Sequence, residues 1–143
     1  TVLCASFPVN FANGDTMTNI NGKVVPISTN TPADSVFEII KLPIGAVILG
    51  VGIDISVSTS TTAYASVGTR AAPNAFINST NLSSTPTRVE STAAGSANVT
   101  AGIQTSGENL VLTLTNSGNS QVGAFVVDVR YYVLNRASEV IGA

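Results

Sequence analysis

The sequence predicts an all-β fold: a single-domain antiparallel β-sandwich or barrel, jelly-roll-like, with an extended N-terminal arm. Three observations point there. Residues 49–57 alternate strictly, with Leu49, Val51, Ile53, Ile55 and Val57 on one face and Gly50, Gly52, Asp54 and Ser56 on the other. That period of two, rich in β-branched residues, is the pattern of a half-buried strand. The same alternation returns over residues 109–115 and 123–133. Gly, Pro and Asn punctuate the chain between these stretches, and no stretch reads as a convincing helix. One domain is the natural reading of 143 residues.

The elements follow in chain order. Residues 1–32 are polar and broken by Pro8, Pro26 and Pro32. Phe7, Val9 and Phe11 alternate and predict a short strand. Asn21-Gly22 suits a type I′ turn, so residues 20–25 are expected to form a small hairpin. This region has too few large apolar residues for a core of its own. The expected division is therefore an N-terminal arm, residues 1–35, and a β-sandwich domain, residues 36–143.

In the next strand, Val36, Glu38 and Ile40 are expected to face one way and Phe37, Ile39 and Lys41 the other. Leu42-Pro43-Ile44-Gly45 reads as a turn, since Pro and Gly are turn residues. The long strand to Val57 follows it. A Ser/Thr loop leads to a strand over residues 64–68, which Ala71-Ala72-Pro73-Asn74 breaks. Ala75-Phe76-Ile77 is a short apolar anchor. Residues 78–97 read as a long polar excursion with one or two edge strands, and Val89 is its main β-branched aliphatic residue. Strands are then expected over residues 99–104, 109–115 and 123–133, followed by a tail from 134 to 143. About eight strands with one long crossover favour a jelly roll over a meander. The period of two predicts a core built from Leu49, Val51, Ile53, Ile55, Leu110, Leu112, Leu114, Phe125, Val127, Val129 and Tyr131.

Composition bounds the chemistry. Hydrophobic residues make up 44%, enough for a real core, while charged residues are only 10%. An ordinary domain carries about 25% charge. The surface must therefore be Ser, Thr, Asn, Gly and Ala. A net charge of -2, with six Lys and Arg spread over the chain, leaves no basic patch for nucleic acid. No apolar run reaches the roughly 18 residues of a membrane span. Thr1-Val2-Leu3-Cys4 lacks the basic start and long apolar run of a secretory signal. The chain has no His and one Cys, which excludes a Ser-His-Asp arrangement, a His/Cys zinc site and an intrachain disulfide. Cys4 reads as a small apolar side chain near the start. Asp54 and Asp128 are the acids that a sheet could bring together as glycosidase carboxylates are. The plainer expectation is that each sits on a polar strand face near Arg130 or water. No catalytic residue, cofactor or metal ligand is therefore expected.

Three stretches carry a resemblance: FEIIKLPIGAVILGVGIDIS, VGTRAAPNAFINSTNLSS and LTLTNSGNSQVGAFVVDVRYYV. Leu42-Pro43-Ile44-Gly45-Ala46, the anchor Asn74-Ala75-Phe76-Ile77 and the closing Val129-Arg130-Tyr131-Tyr132-Val133 are its marks. Residues 36–133 resemble small structural proteins of tailed bacteriophages, the head decoration or cement proteins among them. The resemblance implies a virion protein that binds and stabilises the outer surface of the head as a homotrimer, with the major capsid protein as partner. It implies a place on the capsid surface after synthesis in the host cytoplasm, with no nucleic acid or membrane partner. Phe7, Val9 and Phe11 are the candidate partner-binding residues if the arm attaches; otherwise the arm completes its own sheet. The competing reading is a tail- or fibre-associated β-sandwich that binds carbohydrate or a receptor. It would need a stacking platform from Tyr64, Tyr131 and Tyr132.

Overall fold

The computed structural model describes residues 2–11, 16–27, 35–83, 87–91, 104–106, 109–116 and 122–133. Among these residues the chain forms strands and no helix. In order they are β1 (Leu3–Asn10), β2 (Thr16–Thr18), β3 (Val24–Pro26), β4 (Val36–Lys41), β5 (Ile44–Val57), β6 (Ala63–Gly68), β7 (Ile77–Asn81), β8 (Arg88–Glu90), β9 (Gln104–Ser106), β10 (Asn109–Asn116) and β11 (Ala124–Val133).

One sheet has the order β1-β11-β5-β8, with β9 also on β5; the other has the order β4-β10-β6-β7. Every pairing is antiparallel. The pairing is nested. β6 pairs with β7, β5 with β8, β4 with β10 and β1 with β11. The first half of the chain thus runs back along the second half in reverse order, which is the winding of a jelly roll. β8 and β9 share one edge of β5 end to end, β8 against Gly52 to Asp54 and β9 against Ile44 and Val47.

Among the described residues the core lies between the two sheets and is largely apolar, with Asn19, Ser35 and Thr59 as the buried polar residues. Phe11, Phe37, Phe76 and Phe125 are its largest members. Of the predicted core, Val51, Ile53, Ile55, the three Leu of β10, Phe125, Val127 and Val129 are buried. Tyr131 packs on the core but is half-buried, near the end of β11 where its cross-strand partners are Ile48 and the half-buried Leu3.

Leu49 is different: it is 42% exposed, while Ile48 is fully buried. The cause is a β-bulge. Arg130 faces Gly50 but Tyr131 faces Ile48, so Leu49 is an extra residue without a partner. An extra residue reverses the alternation beyond it. Ile39 does the same in β4, because Leu110 faces Ile40 and Val111 faces Glu38. Phe37 and Ile40 therefore both point inward, where strict alternation places them on opposite faces. Truncating Ile48 to Ala is expected to cost about 2–5 kcal/mol, and Leu49→Ala no more than about 0.5 kcal/mol. Urea unfolding of the two variants checks the register.

β4 and β5 lie in different sheets, so Leu42-Pro43 is a corner between layers. Gly45 has φ +83°, a left-handed conformation that only a residue without Cβ adopts freely. The Ala46 amide donates to the Pro43 carbonyl at 3.2 Å and closes the corner.

The expected hairpin near Asn21-Gly22 is present as β2 and β3, with its strands set further apart than expected. The Asn19 carboxamide oxygen accepts from the Asn21 and Lys23 amides at 2.9 and 3.0 Å. That side-chain capture starts the turn at Asn19. Of the segment 1–35 expected as an arm, β1 is paired with β11 along its whole length, from Leu3 against Tyr131 to Asn10 against Ala124. Most of the strand expected over 99–104, and the tail 134–143, fall outside the described residues.

Candidate functional site

β1 carries two of the three candidate contact residues, Phe7 and Val9, and Phe11 follows directly after its end. Ala5, Phe7 and Val9 point inward, while Cys4, Ser6, Pro8 and Asn10 are exposed. Val9 is 3% exposed and Phe11 fully buried. Phe11 lies against Phe125 with ring centroids 6.1 Å apart, tilted by 42°. Phe7 is half-buried. It stands on the rim of a cleft of about 370 Å³ with Pro8, Asn10, Thr16 and Met17. No residue lining this cleft titrates, so it has no acid–base machinery.

The edge itself is blunted. The Phe11 amide donates to the Gly123 carbonyl at 2.8 Å. The period of two then turns the amides of Val9 and Phe7 toward β11 and the nitrogen of Pro8 outward. Proline costs no ladder bond there, and it denies a donor to any strand that approaches.

The acids do meet. On the outer face of the larger sheet, Asp54 stands opposite Val126 and Arg88, and Gly52 opposite Asp128 and Glu90. Arg88 is the hub. Its Nη1 donates to Asp54 Oδ2 at 2.8 Å and to Asp128 Oδ2 at 2.7 Å. Its Nη2 reaches Asp128 Oδ1 at 3.1 Å and its Nε reaches Glu90 Oε1 at 2.9 Å. Arg130 Nη1 joins Glu90 at 3.2 Å. The glycines make the floor for this network. A Cβ on Gly52 would collide with the Arg88 guanidinium, and one on Gly50 with that of Arg130.

The chemistry of this arrangement is ionic pairing. The Arg88 guanidinium fills the space between Asp54 and Asp128, where a glycosidase would need a sugar oxygen or a water. Asp128 first, and then Glu90, raise the Arg88 pKa above its already high range through hydrogen bonds. Hydrogen bonds from Arg88, and then from Arg130, hold the Glu90 carboxyl below its usual 4.5. A depressed carboxyl pKa stabilises the fold above the unfolded-state value, and the contribution is lost as pH falls through the folded-state value. The Glu90 carboxyl is therefore expected to titrate below 4.5, with stability falling in that acid range. A carboxyl NMR titration checks this: a Glu90 midpoint at or above the ordinary value would contradict the geometry.

Sequence reasoning named Asp54, Asp128 and Arg130 but missed Arg88 and Glu90. Two signals were available. Arg88-Val89-Glu90 alternates charge, apolar, charge within a polar stretch, and Gly50-x-Gly52-x-Asp54 leaves one strand face bare enough to seat guanidinium groups.

The tyrosines do not converge. Tyr131 and Tyr132 are consecutive in β11 and so point to opposite faces, and Tyr64 is exposed on the other sheet. Cys4 is exposed on β1, opposite Arg130. Among the described residues no group of acids, His or Cys could hold a metal ion.

No protein-family model matches this chain. No curated protein matches it either. Solved structures do. A chain of the capsid asymmetric unit of cyanophage Pam1 is 18% identical with TM-score 0.61, covering 93% of this chain and 85% of that one. A chain from the capsid of Ralstonia phage GP4 is 13% identical with TM-score 0.51, covering 93% and 84%. At such identities the likeness shows the shared fold. A chain from a CBM4 structure reaches a TM-score of only 0.34, with 19% identity over 87% and 89%, which carries no argument.

Proposed function

We propose that this chain is a structural protein of a phage virion, a head decoration protein that binds and stabilises the outer surface of the capsid. The observation that carries the reading is the jelly roll shared, over nearly the whole length, with chains of two phage capsids. The site chemistry fits it: charges satisfied by one another and a cleft without a titratable group. The major capsid protein is the partner in this reading, and the working unit is a homotrimer.

The N-terminal segment is the proposed attachment element. Val9 and Phe11 serve it from inside, by fixing β1 to the sheet. The exposed row Cys4, Ser6 and Pro8 presents the surface a partner would touch, and Phe7, on the other face of β1, offers a second contact at the rim of the cleft. Sedimentation with expanded empty heads of the encoding phage tests the reading. The protein is expected to sediment with the heads, and Ser6→Lys to weaken binding without altering the fold. Failure to sediment at any protein concentration would overturn it. Light scattering is expected to give three times the chain mass, free or released from heads.

A further inference from the structure

We infer that β8 is an ionic clasp: Arg88, pinned between Asp54 of β5 and Asp128 of β11, holds this short strand on the sheet, and its release opens the β5 edge while the rest of the jelly roll stays folded.

The geometry of β8 differs from that of the other jelly-roll strands. It has three residues, and its one apolar side chain, Val89, is half-buried. Among the described residues, the core takes no member from β8. β1, the opposite edge strand, instead contributes Val9 to the core, with Phe7 and Ala5 packed against it. Apolar burial is the main term that keeps an edge strand in place, and β8 has little of it. What it has is main-chain pairing and charge. The Ile55 amide donates to the Thr87 carbonyl and the Ser91 amide to the Val51 carbonyl, both at 2.8 Å. The Val51 amide donates to Ser91 Oγ at 3.1 Å. Every ion pair of β8 then passes through Arg88 or Glu90.

The glycines supply an independent observation. Gly52 sits under Arg88 and Gly50 under Arg130, each at a position where a Cβ would displace the guanidinium. Glycine in a strand interior weakens the strand, so two alternate glycines mark a place where something approaches the backbone closely. Here that something is the clasp. The charged groups facing Arg88 are Asp54 of β5, Asp128 of β11 and Glu90 of its own strand; Arg130 of β11 faces Glu90. Loss of Arg88 breaks the ion pairs to Asp54 of β5 and Asp128 of β11 at once and leaves β8 the Glu90–Arg130 pair.

Native-state amide exchange reads the clasp directly, because the amides of Ile55 and Ser91 are bonded across the β5–β8 seam. At pH 7, Arg88→Met is expected to speed exchange at these two amides by about tenfold, leaving Leu112 and Val127 unchanged. Val89→Ala removes the packing instead, and is expected to change the same amides less. Sodium chloride at 1 M weakens part-exposed ion pairs and is expected to act on the wild-type protein in the same direction as Arg88→Met, by a smaller factor. The salt series also serves if Arg88→Met does not fold. The inference is overturned if Val89→Ala matches or exceeds Arg88→Met, if the seam amides ignore both the substitution and the salt, or if salt speeds exchange equally throughout the core.

Discussion

Phe125→Ala is expected to lower the unfolding free energy by about 3–5 kcal/mol. Phe125 is 1% exposed. It is held on one side by Val9 of β1 and on the other by Ile55 of β5. Its ring meets Phe11. A strand pinned by two neighbours cannot collapse into the space a lost ring leaves, so the cavity cost adds to the lost transfer energy. Urea unfolding should show a lower midpoint with an unchanged slope. The same reasoning gives about 2–5 kcal/mol for Ile53→Ala, at a fully buried position in the middle of β5. An unshifted midpoint for either variant would mean that the strand register is wrong.

Deleting residues 1–11 is expected to abolish cooperative unfolding. The deletion removes two buried side chains, Val9 and Phe11, and the half-buried Phe7. Full burial of one such side chain contributes about 1.5–3 kcal/mol, against a whole-domain stability of about 5–15 kcal/mol. It also strips β11 of its partner along all of β1. A thermal melt by circular dichroism checks the outcome. A sharp transition in the truncated protein would make β1 a dispensable arm. Because deletion removes fold and surface together, attachment is better probed by Ser6→Lys.

Much of the fold was legible from period alone. The long strands β5, β10 and β11 lie where alternation put them, because each has one buried face and the pleat enforces the pattern. The bulges were not legible. Nothing local at Leu49 or Ile39 says that a residue is unpaired; that is decided by the partner strand, whose register is set elsewhere. The charge network was half legible. Gly50, Gly52 and Asp54 show a bare strand face, but the guanidinium that lies on it comes from Arg88, 34 residues beyond Asp54. The contact trio Phe7, Val9 and Phe11 shows the same limit. Alternation places Phe7, Val9 and Phe11 on one face of a strand. Which surface that face meets depends on β11, at the other end of the chain.

The nested winding has a consequence for how the chain finds its fold. The innermost pair, β6 with β7, joins Val67 to Ile77 and closes the shortest loop of the four nested pairs. The outermost, β1 with β11, joins Leu3 to Tyr131 and spans nearly the whole chain. Closing a loop directly costs only about 0.6 kcal/mol more for each doubling of its length. Even that increment falls away when inner pairs form first, since each shortens the free chain that the next must bring together. Folding is then expected to run as a zipper from the β6–β7 turn outward, with β5 meeting β8, β4 meeting β10 and β1 docking last. A topology dominated by distant pairings folds slowly, and the last step leaves β11 with an open edge until β1 arrives. Pro8 belongs to that late-arriving strand, and its missing N–H protects the edge that remains once the zipper has closed.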